Sequence, residues 1–333
     1  MSARTPRVSV CLPVYNGANY LAASIASVLA QTWEDLRLIV VDNCSTDETP
    51  DIVRSFADRR LAYHRNPSNI GLPANFNRCL DLADGELVCI WHHDDVMLPT
   101  NLERKVRALD DHPRVGFVHS NLWRVDADGR RLAEHWHEDS RLDYVASGVE
   151  WFRRFVTRLH QGALVFGGAV VTRRACYERV GRFRSELPNC CDNEMWMRLA
   201  LSFDVACLGS PLVEYRKHST SASSAQAGPN WLAEHFAAAR AVFGSHGAEV
   251  PHGAALHRQV RANFAREAML WANETSYQGR FGESRGYLAL ATRIAPRLLV
   301  TGRLWWLLMR WAGGRAGVRA YGRFRERLGR AAR

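Results

Sequence analysis

The 333-residue sequence has no Gly-x-Gly-x-x-Gly turn after its first apolar run and no Gly-x-x-x-x-Gly-Lys-Ser/Thr loop. Both absences argue against a dinucleotide dehydrogenase and a P-loop nucleotidase, which cradle phosphate with those glycines. No Gly-x-Ser-x-Gly elbow is present either, so a serine hydrolase of the elbow type is disfavoured. The eight cysteines form no Cys-x-x-Cys pair, several sit inside apolar runs, and the adjacent Cys190 and Cys191 are poorly placed to bridge each other. Free buried thiols in a reducing, cytoplasmic setting are therefore expected. No run reaches the roughly 18–20 uninterrupted apolar residues of a spanning helix. The N-terminal run Val8–Leu12, closed by Pro13, is too short for a signal-peptide core. These absences predict a soluble protein, or one held peripherally on the inner face of a membrane.

What is present is an ordinary globular composition, 47% hydrophobic and 23% charged, with a formal charge of +10. The charge is unevenly placed. Arg293–Arg333 holds eleven arginines against the single acid Glu326, so the remainder of the chain is formally neutral. A partner that reads positive charge would meet this tail.

Val8–Leu12 reads as a buried strand followed by the turn Pro13–Gly17, and Asn19 is placed to cap a helix with Leu21, Ile25, Val28 and Leu29 on one face. Leu36–Val41 is a strand covered on both faces and ends at Asp42; Leu61–His64 is a third strand. Pro73 opens a helix as a first-turn proline can, and Leu87–Trp91 is a fourth strand running into His92-His93-Asp94-Asp95. This alternation predicts a parallel sheet with helices on both sides, which binds ligands at the carboxyl ends of its strands. Tyr15-Asn16, Asp42-Asn43 and Asp94-Asp95 all fall at such ends.

Further on, Leu102–Leu109 is read as a helix, Val115–His119 as a strand and Asp126–Gly129 as a hairpin turn. Phe166–Thr172 and Leu212–Tyr215 are read as strands, and Glu194–Leu201 as a short helix. The polar run His218–Ser224 reads as a linker, with only helices beyond Trp231. A domain over residues 1–222 and a helical region over 223–333 are expected.

Paired carboxylates at a strand end suit Mg2+ or Mn2+, which take oxygen ligands and bridge phosphate oxygens. Alone, Asp94-Asp95 reads equally as a cap for the next helix, and Asp42 as closing its own loop. His92 and His93 point to opposite faces of a strand end, which disfavours a two-histidine zinc site. Trp91, Trp123, Trp151 and Trp196 read first as core, with one of them a candidate platform for an acceptor sugar.

Six segments, taken in order, carry a resemblance. Val8–Asn16, Leu38–Asp47, Asn69-Ile70-Gly71 with Ala74 and Asn77, Gly85–Asp95 with Pro99, Gly167-Gly168 with Gly181–Leu201, and Tyr215–His218 together resemble the family-2 glycosyltransferases. The resemblance covers about the first 220 residues and implies a Rossmann-like GT-A α/β fold, here with a C-terminal helical extension. It implies that Pro13, Tyr15, Asn16, Asp42, Asn69 and Asn77 line the donor site, with Tyr15 facing the base and Asp94 the ribose or sugar. Asp95 is implied as ligand of a divalent metal, His218 as a late histidine approaching that metal or the diphosphate, and Asp192 as general base. Three positions depart from the family pattern. His92 stands where the metal strand commonly begins with Asp, Cys191 where the base is commonly preceded by Glu, and Phe76 where some members have Arg.

The chemistry so implied is an inverting transfer from a nucleotide-sugar to an acceptor hydroxyl, with no covalent enzyme intermediate. Asp192 would take the hydroxyl proton, with Glu194 the substitute, although a helix-start acid is the plainer reading of Glu194. The tail adds a second expectation. Leu298–Trp311 is apolar and tryptophan-rich, and Arg315, Arg319, Arg323 and Arg327 form a stripe at helical spacing. Residues 296–333 thus suit an anionic membrane surface as well as they suit a helix packed on the domain, while nucleic acid has no accompanying motif. A membrane surface would make the acceptor a glycan or lipid-linked sugar of cell-surface polysaccharide or glycolipid assembly. The alternative is a non-catalytic nucleotide-sugar-binding or membrane-associated assembly protein on the same fold. His92 keeps it open; retention of Asp42, Asp94, Asp95 and Asp192 together argues against it. A nucleotidyltransferase would want a Gly/Arg/Lys-rich loop where Asn16-Gly17-Ala18-Asn19 stands.

Overall fold

The computed structural model describes residues 5–136, 142–161, 165–218 and 228–297. Most of residues 218–224, read as a linker, and all but two residues of the basic tail 296–333 lie outside them.

The first half alternates strand and helix: β1 (Val8–Val14), α1 (Ala18–Leu29), β2 (Leu36–Asp42), α2 (Thr49–Arg54), β3 (Leu61–Arg65), α3 (Leu72–Leu82) and β4 (Leu87–Ile90). Period-two alternation sorts these strands onto two faces. Val10, Leu12, Leu38 and Val40 join one apolar cluster with Leu21 and Ile25 of α1, whereas Cys11, Ile39, Val41 and Val88 join the opposite one. Both faces are covered, which is why the strands read as continuous apolar runs.

After β4 come β5 (Val96–Met97), α4 (Asn101–Asp111), β6 (Val115–Val125), β7 (Arg131–Trp136), β8 (Tyr144–Ala146), α5 (Gly148–Arg158), β9 (Val170–Arg173), α6 (Arg174–Val180), α7 (Cys191–Ser202) and β10 (Asp204–Arg216). Three helices close the described chain: α8 (Pro229–His246), α9 (Gly253–Tyr277) and α10 (Phe281–Ile294).

The strands form one sheet in the order β3-β2-β1-β4-β9-β6-β10-β5, with β7 on β6 and β8 on β10. β3, β2, β1 and β4 are parallel, as expected. The sheet as a whole is mixed, because β9 runs antiparallel between β4 and β6. The chain winds from β1 out to β3, then returns to place β4 on the other side of β1. That reversal opens a crevice at the carboxyl ends of β1 and β4, the usual ligand position in open α/β sheets.

Two expected strands differ in extent. Gly167–Ala169 is a 3-10 turn, so β9 begins only at Val170. The last strand begins at Asp204, well before Leu212, and carries register shifts around Pro211. All eight cysteines are free. Trp91, Trp151 and Trp196 are core residues. Among the described residues no helix is long and apolar enough to cross a membrane.

The apolar cluster on the α5/α7 face continues into the C-terminal helices, from Ile39 and Val88 through Phe155 and Met195 to Leu232, Val260 and Phe264.

Candidate active site

The crevice is built by tying the strand-end loops together. Asn16 adopts a positive φ of 51°, which Asn tolerates better than most residues. Its Oδ1 accepts from the Thr46 amide at 2.8 Å and its own amide donates to Ser45 Oγ at 2.9 Å. Gly17 N donates to Thr49 Oγ1 at 3.0 Å, and Ala18 N donates to Asp47 Oδ2 at 2.9 Å. The start of α1 is thus capped by Asp47 from the neighbouring loop; Asn19, expected as the cap, lies inside the helix. A Cβ on Gly17 would stand 2.5 Å from Val14 and 2.6 Å from the His93 ring, so only glycine lets the three approach.

Asp42 is fully buried. Ser45 N donates to its Oδ1 at 2.8 Å, and Tyr63 OH and Arg65 Nη1 reach its Oδ2 at 2.7 and 3.3 Å. In this arrangement Asp42 fixes the loop after β2. Asn69 and Asn77 are likewise engaged within the protein. Asn43 Nδ2 donates to Asn69 Oδ1 at 2.8 Å, and Asn77 clamps the Phe183 backbone with bonds of 2.9 Å to both its N–H and C=O. Pro13 is buried beneath, while Tyr15 keeps 46% of its surface exposed at the crevice mouth. Asn66 and Asn75, which sequence reasoning missed, complete the asparagine network beside β2.

At the end of β4, His92, Asp94 and Asp95 bring one ligand atom each to within 4.8 Å of one another. Asp95 is 1% exposed; its Oδ1 accepts from Arg216 N at 2.9 Å, whereas its Oδ2 is buried without a hydrogen-bond partner. His92 Nδ1 lies 3.8 Å from that oxygen. Burial and the neighbouring Asp94 push the Asp95 pKa well above the carboxylate range. Burial alone would also raise Asp94, but His93, His92 and His218 bring it below its ordinary value. Burial lowers the His92 pKa and favours the neutral imidazole, which is the ligating form. A buried carboxylate oxygen with no donor, beside a second carboxylate and a neutral imidazole, is a donor set that fits a divalent cation. His218 bonds Asp94 Oδ2 through Nε2 at 3.0 Å, and its ring packs 4.8 Å from Tyr20. His218 thus lies against Asp94, and His92 lies beside Asp95.

Arg216 locks this corner, and sequence reasoning gave it no role. Beyond its bond to Asp95, its Nε donates to Asp94 O at 3.1 Å, Nη1 donates to Ala127 O at 3.0 Å, and the guanidinium stacks over Tyr20 at 4.8 Å.

Across the crevice stands Asp192, in the first turn of α7. A Cβ on Gly167 would lie 3.1 Å from Asp192 Oδ2 and 3.4 Å from His92 Nε2, so the glycine keeps open the space between them. The His92 ring thus faces Asp95 with one nitrogen and the Asp192 side with the other. Burial raises the Asp192 pKa to about 6, even though Asn193 donates to its carboxylate from both backbone and side chain. The turn before it is held from α8, where Glu234 accepts from the backbone amides of Asn189 and Cys190. Glu194, the substitute base, is fully buried and paired with Arg198 and Arg184 at 2.8 Å each, which makes it a structural ion pair.

Residues 9–181 match the family described as Glycosyl transferase family 2. An uncharacterized Mycobacterium tuberculosis protein is 30% identical over 231 residues, which cover 64% of this chain and 68% of the relative. An uncharacterized glycosyltransferase of Rickettsia felis is 27% identical over 221 residues; the match covers 66% of this chain but only 35% of that protein. Among solved structures, Staphylococcus aureus TarS residues 1–349 with UDP-GlcNAc aligns with a TM-score of 0.58 at 17% identity, over 88% of this chain and 91% of that one. The mannosyltransferase PcManGT of Pyrobaculum calidifontis, in complex with GDP-Man and Mn2+, aligns with a TM-score of 0.50 at 19% identity, over 96% and 86% of the two chains. The chain belongs to glycosyl transferase family 2 and has the GT-A fold.

Proposed function

We propose that this glycosyltransferase moves a sugar from a nucleoside-diphosphate donor to an acceptor hydroxyl with inversion at the anomeric carbon. The observation that carries the reading is the placement of Asp192 across one imidazole ring from the Asp94–Asp95 pair, with Gly167 keeping the space between them open. A hydroxyl entering that space meets a carboxylate with a pKa of about 6, ionised at neutral pH yet basic enough to accept a proton as the oxygen attacks. Attack from the Asp192 side, with the diphosphate leaving on the Asp95 side, is a single displacement and inverts the carbon.

Asp95 and His92, with Asp94 beside them, would hold a divalent cation, Mg2+ or Mn2+. When bound, such a cation neutralises charge that develops on the departing diphosphate. The exposed Tyr15 ring offers a face to the base, with Pro13 beneath it. Asp42, Asn16, Asn69 and Asn77 support the donor by holding the loops that shape its pocket. His218 contributes by orienting Asp94. That TarS was solved with UDP-GlcNAc and PcManGT with GDP-Man and Mn2+ supports the donor class and the cation. The apolar and basic sequence of residues 296–333 supports a glycan or lipid-linked acceptor of cell-surface assembly.

The test is Asp192→Asn, assayed for transfer and donor hydrolysis with a panel of nucleotide sugars in Mn2+. Turnover should fall by about 10²–10⁴-fold, while nucleoside diphosphate still raises the melting midpoint as it does in the wild type. Near-normal turnover in this variant would remove Asp192 as the base, and a flat response of both proteins to every nucleotide would favour a non-catalytic assembly protein.

A further inference from the structure

Away from the crevice, a cleft of about 330 Å³ opens between α8, α9 and α10. Its floor is apolar: Ala233, Phe236 and Ala237 from α8, and Leu290 and Ile294 from α10. Arg240, Arg261 and Arg293 also line it, one from each helix, together with His257, and no acid does. We infer that this cleft binds the phosphate end of an anionic amphiphile, a phosphate-bearing lipid, with the first part of its hydrocarbon chain on the apolar floor.

Three arginines converging without a carboxylate is the first reason. Surface arginines in this protein commonly find acids, as Arg54 does with Asp51 and Arg280 with Glu283. Among the described residues Arg240 and Arg293 have no such partner, and Arg261 spends one nitrogen on the Ile294 carbonyl at 2.7 Å. Like charges gathered around one cleft repel, and a phosphate would relieve that repulsion while accepting the paired N–H groups that guanidinium presents. His257 is the second reason. Its ring stacks on Phe243 with centroids 4.6 Å apart, and its Nε2 is buried with no hydrogen-bond partner. A buried polar atom in this condition wants a ligand atom. The apolar floor is the third, because a free inorganic anion gains nothing from Phe236, Leu290 and Ile294, whereas an alkyl chain does. The arginine-rich stretch from Arg315 onward is a poor alternative occupant by charge, and occupation of the floor by the apolar Leu298–Trp311 would show as an absence of decyl phosphate binding.

Decyl phosphate, kept below its micellar concentration, is the probe for the full-length protein, with inorganic phosphate and decanol as controls. Calorimetry should show decyl phosphate binding tighter than either control, and tightening with alkyl length from hexyl to decyl. The double variant Arg240→Glu, Arg293→Glu should lose at least tenfold in affinity. Both positions are exposed and unpaired, so its melting midpoint and its donor hydrolysis should stay those of the wild type. The variant keeps the tail, so a loss assigns binding to the cleft. Equal affinity in the two proteins, absence of binding, or inorganic phosphate binding as tightly as decyl phosphate would each overturn the inference.

Discussion

At the level of single residues, the acid limb of activity should report Asp192. Its pKa is raised to about 6 chiefly by burial, so the carboxylate is protonated, and useless as a base, below that value. Transfer measured as kcat/KM in the free enzyme should fall tenfold per unit as pH drops below about 6, and Asp192→Asn should abolish that limb. His92 leads to a second expectation. An imidazole nitrogen suits Mn2+ and Co2+ better than Mg2+, which favours oxygen donors. The wild type should therefore be stabilised more by Mn2+ than by Mg2+ in thermal scans, and His92→Asp should shift the balance toward Mg2+. Equal ratios in the two proteins would place His92 outside the cation's ligands. Gly167→Ala supplies a third measurement. The added methyl would stand 3.1 Å from Asp192 Oδ2 and 3.4 Å from His92 Nε2, which fills the space proposed for the attacking hydroxyl. Turnover should drop at least tenfold with little change in melting midpoint, because Gly167 has no positive φ to strain.

Helix α4 shows what one element tolerates inside a packed layer. Leu102, Val106 and Leu109 face the core, and Lys105 shares their buried stripe. Its Nζ has no hydrogen-bond partner, and burial lowers its pKa to about 8. The unfolded chain, with an ordinary lysine near 10.5, binds more protons between pH 8 and 10.5, so stability should rise with pH through that window. Below pH 8 the full penalty applies, and Lys105→Met should raise stability by roughly 1–3 kcal/mol at neutral pH in denaturant melts. A midpoint unchanged by the substitution would show that the ammonium reaches water. The same scale explains what was legible in the sequence. β1 to β4 were readable because each is a short apolar run ended by polar residues. β10 was seen only in its last third, because Gly209-Ser210-Pro211 interrupts the pattern where the strand shifts register. The antiparallel β9 was invisible as such, since pairing direction is set by partners far along the chain. Likewise the carboxylates of the site could be found at strand ends, but their holders could not. Arg216 grips Asp95 from 121 positions away, and Glu234 steadies the turn before Asp192 from 44 or more.

Across the whole molecule, Glu234 joins regions that sequence pattern separates near residue 222. One apolar cluster crosses that boundary, and Leu232, Val242, Leu256, Val260 and Phe264 are buried in it together with residues of α5 and α7. Each such side chain contributes about 1.5–3 kcal/mol when removed from water, so the burial joining the helices to the sheet is comparable to a typical domain's net stability. Polar ties run the same way: Asn263 donates to Thr157 O, Arg153 to Pro251 O, and Glu234 accepts from the turn that carries Asp192. The full chain should therefore melt in one cooperative transition, with tryptophan fluorescence and far-ultraviolet dichroism coincident. A chain ending at residue 222 would leave the α5/α7 face bare and the turn before Asp192 without Glu234. It should aggregate or expose apolar surface to a reporter dye, and lose activity beyond what Glu234→Gln alone removes. If that shortened chain instead stays monomeric and binds nucleotide like the full protein, the helices are a separable attachment, and the position of Asp192 is set within the GT-A layer alone.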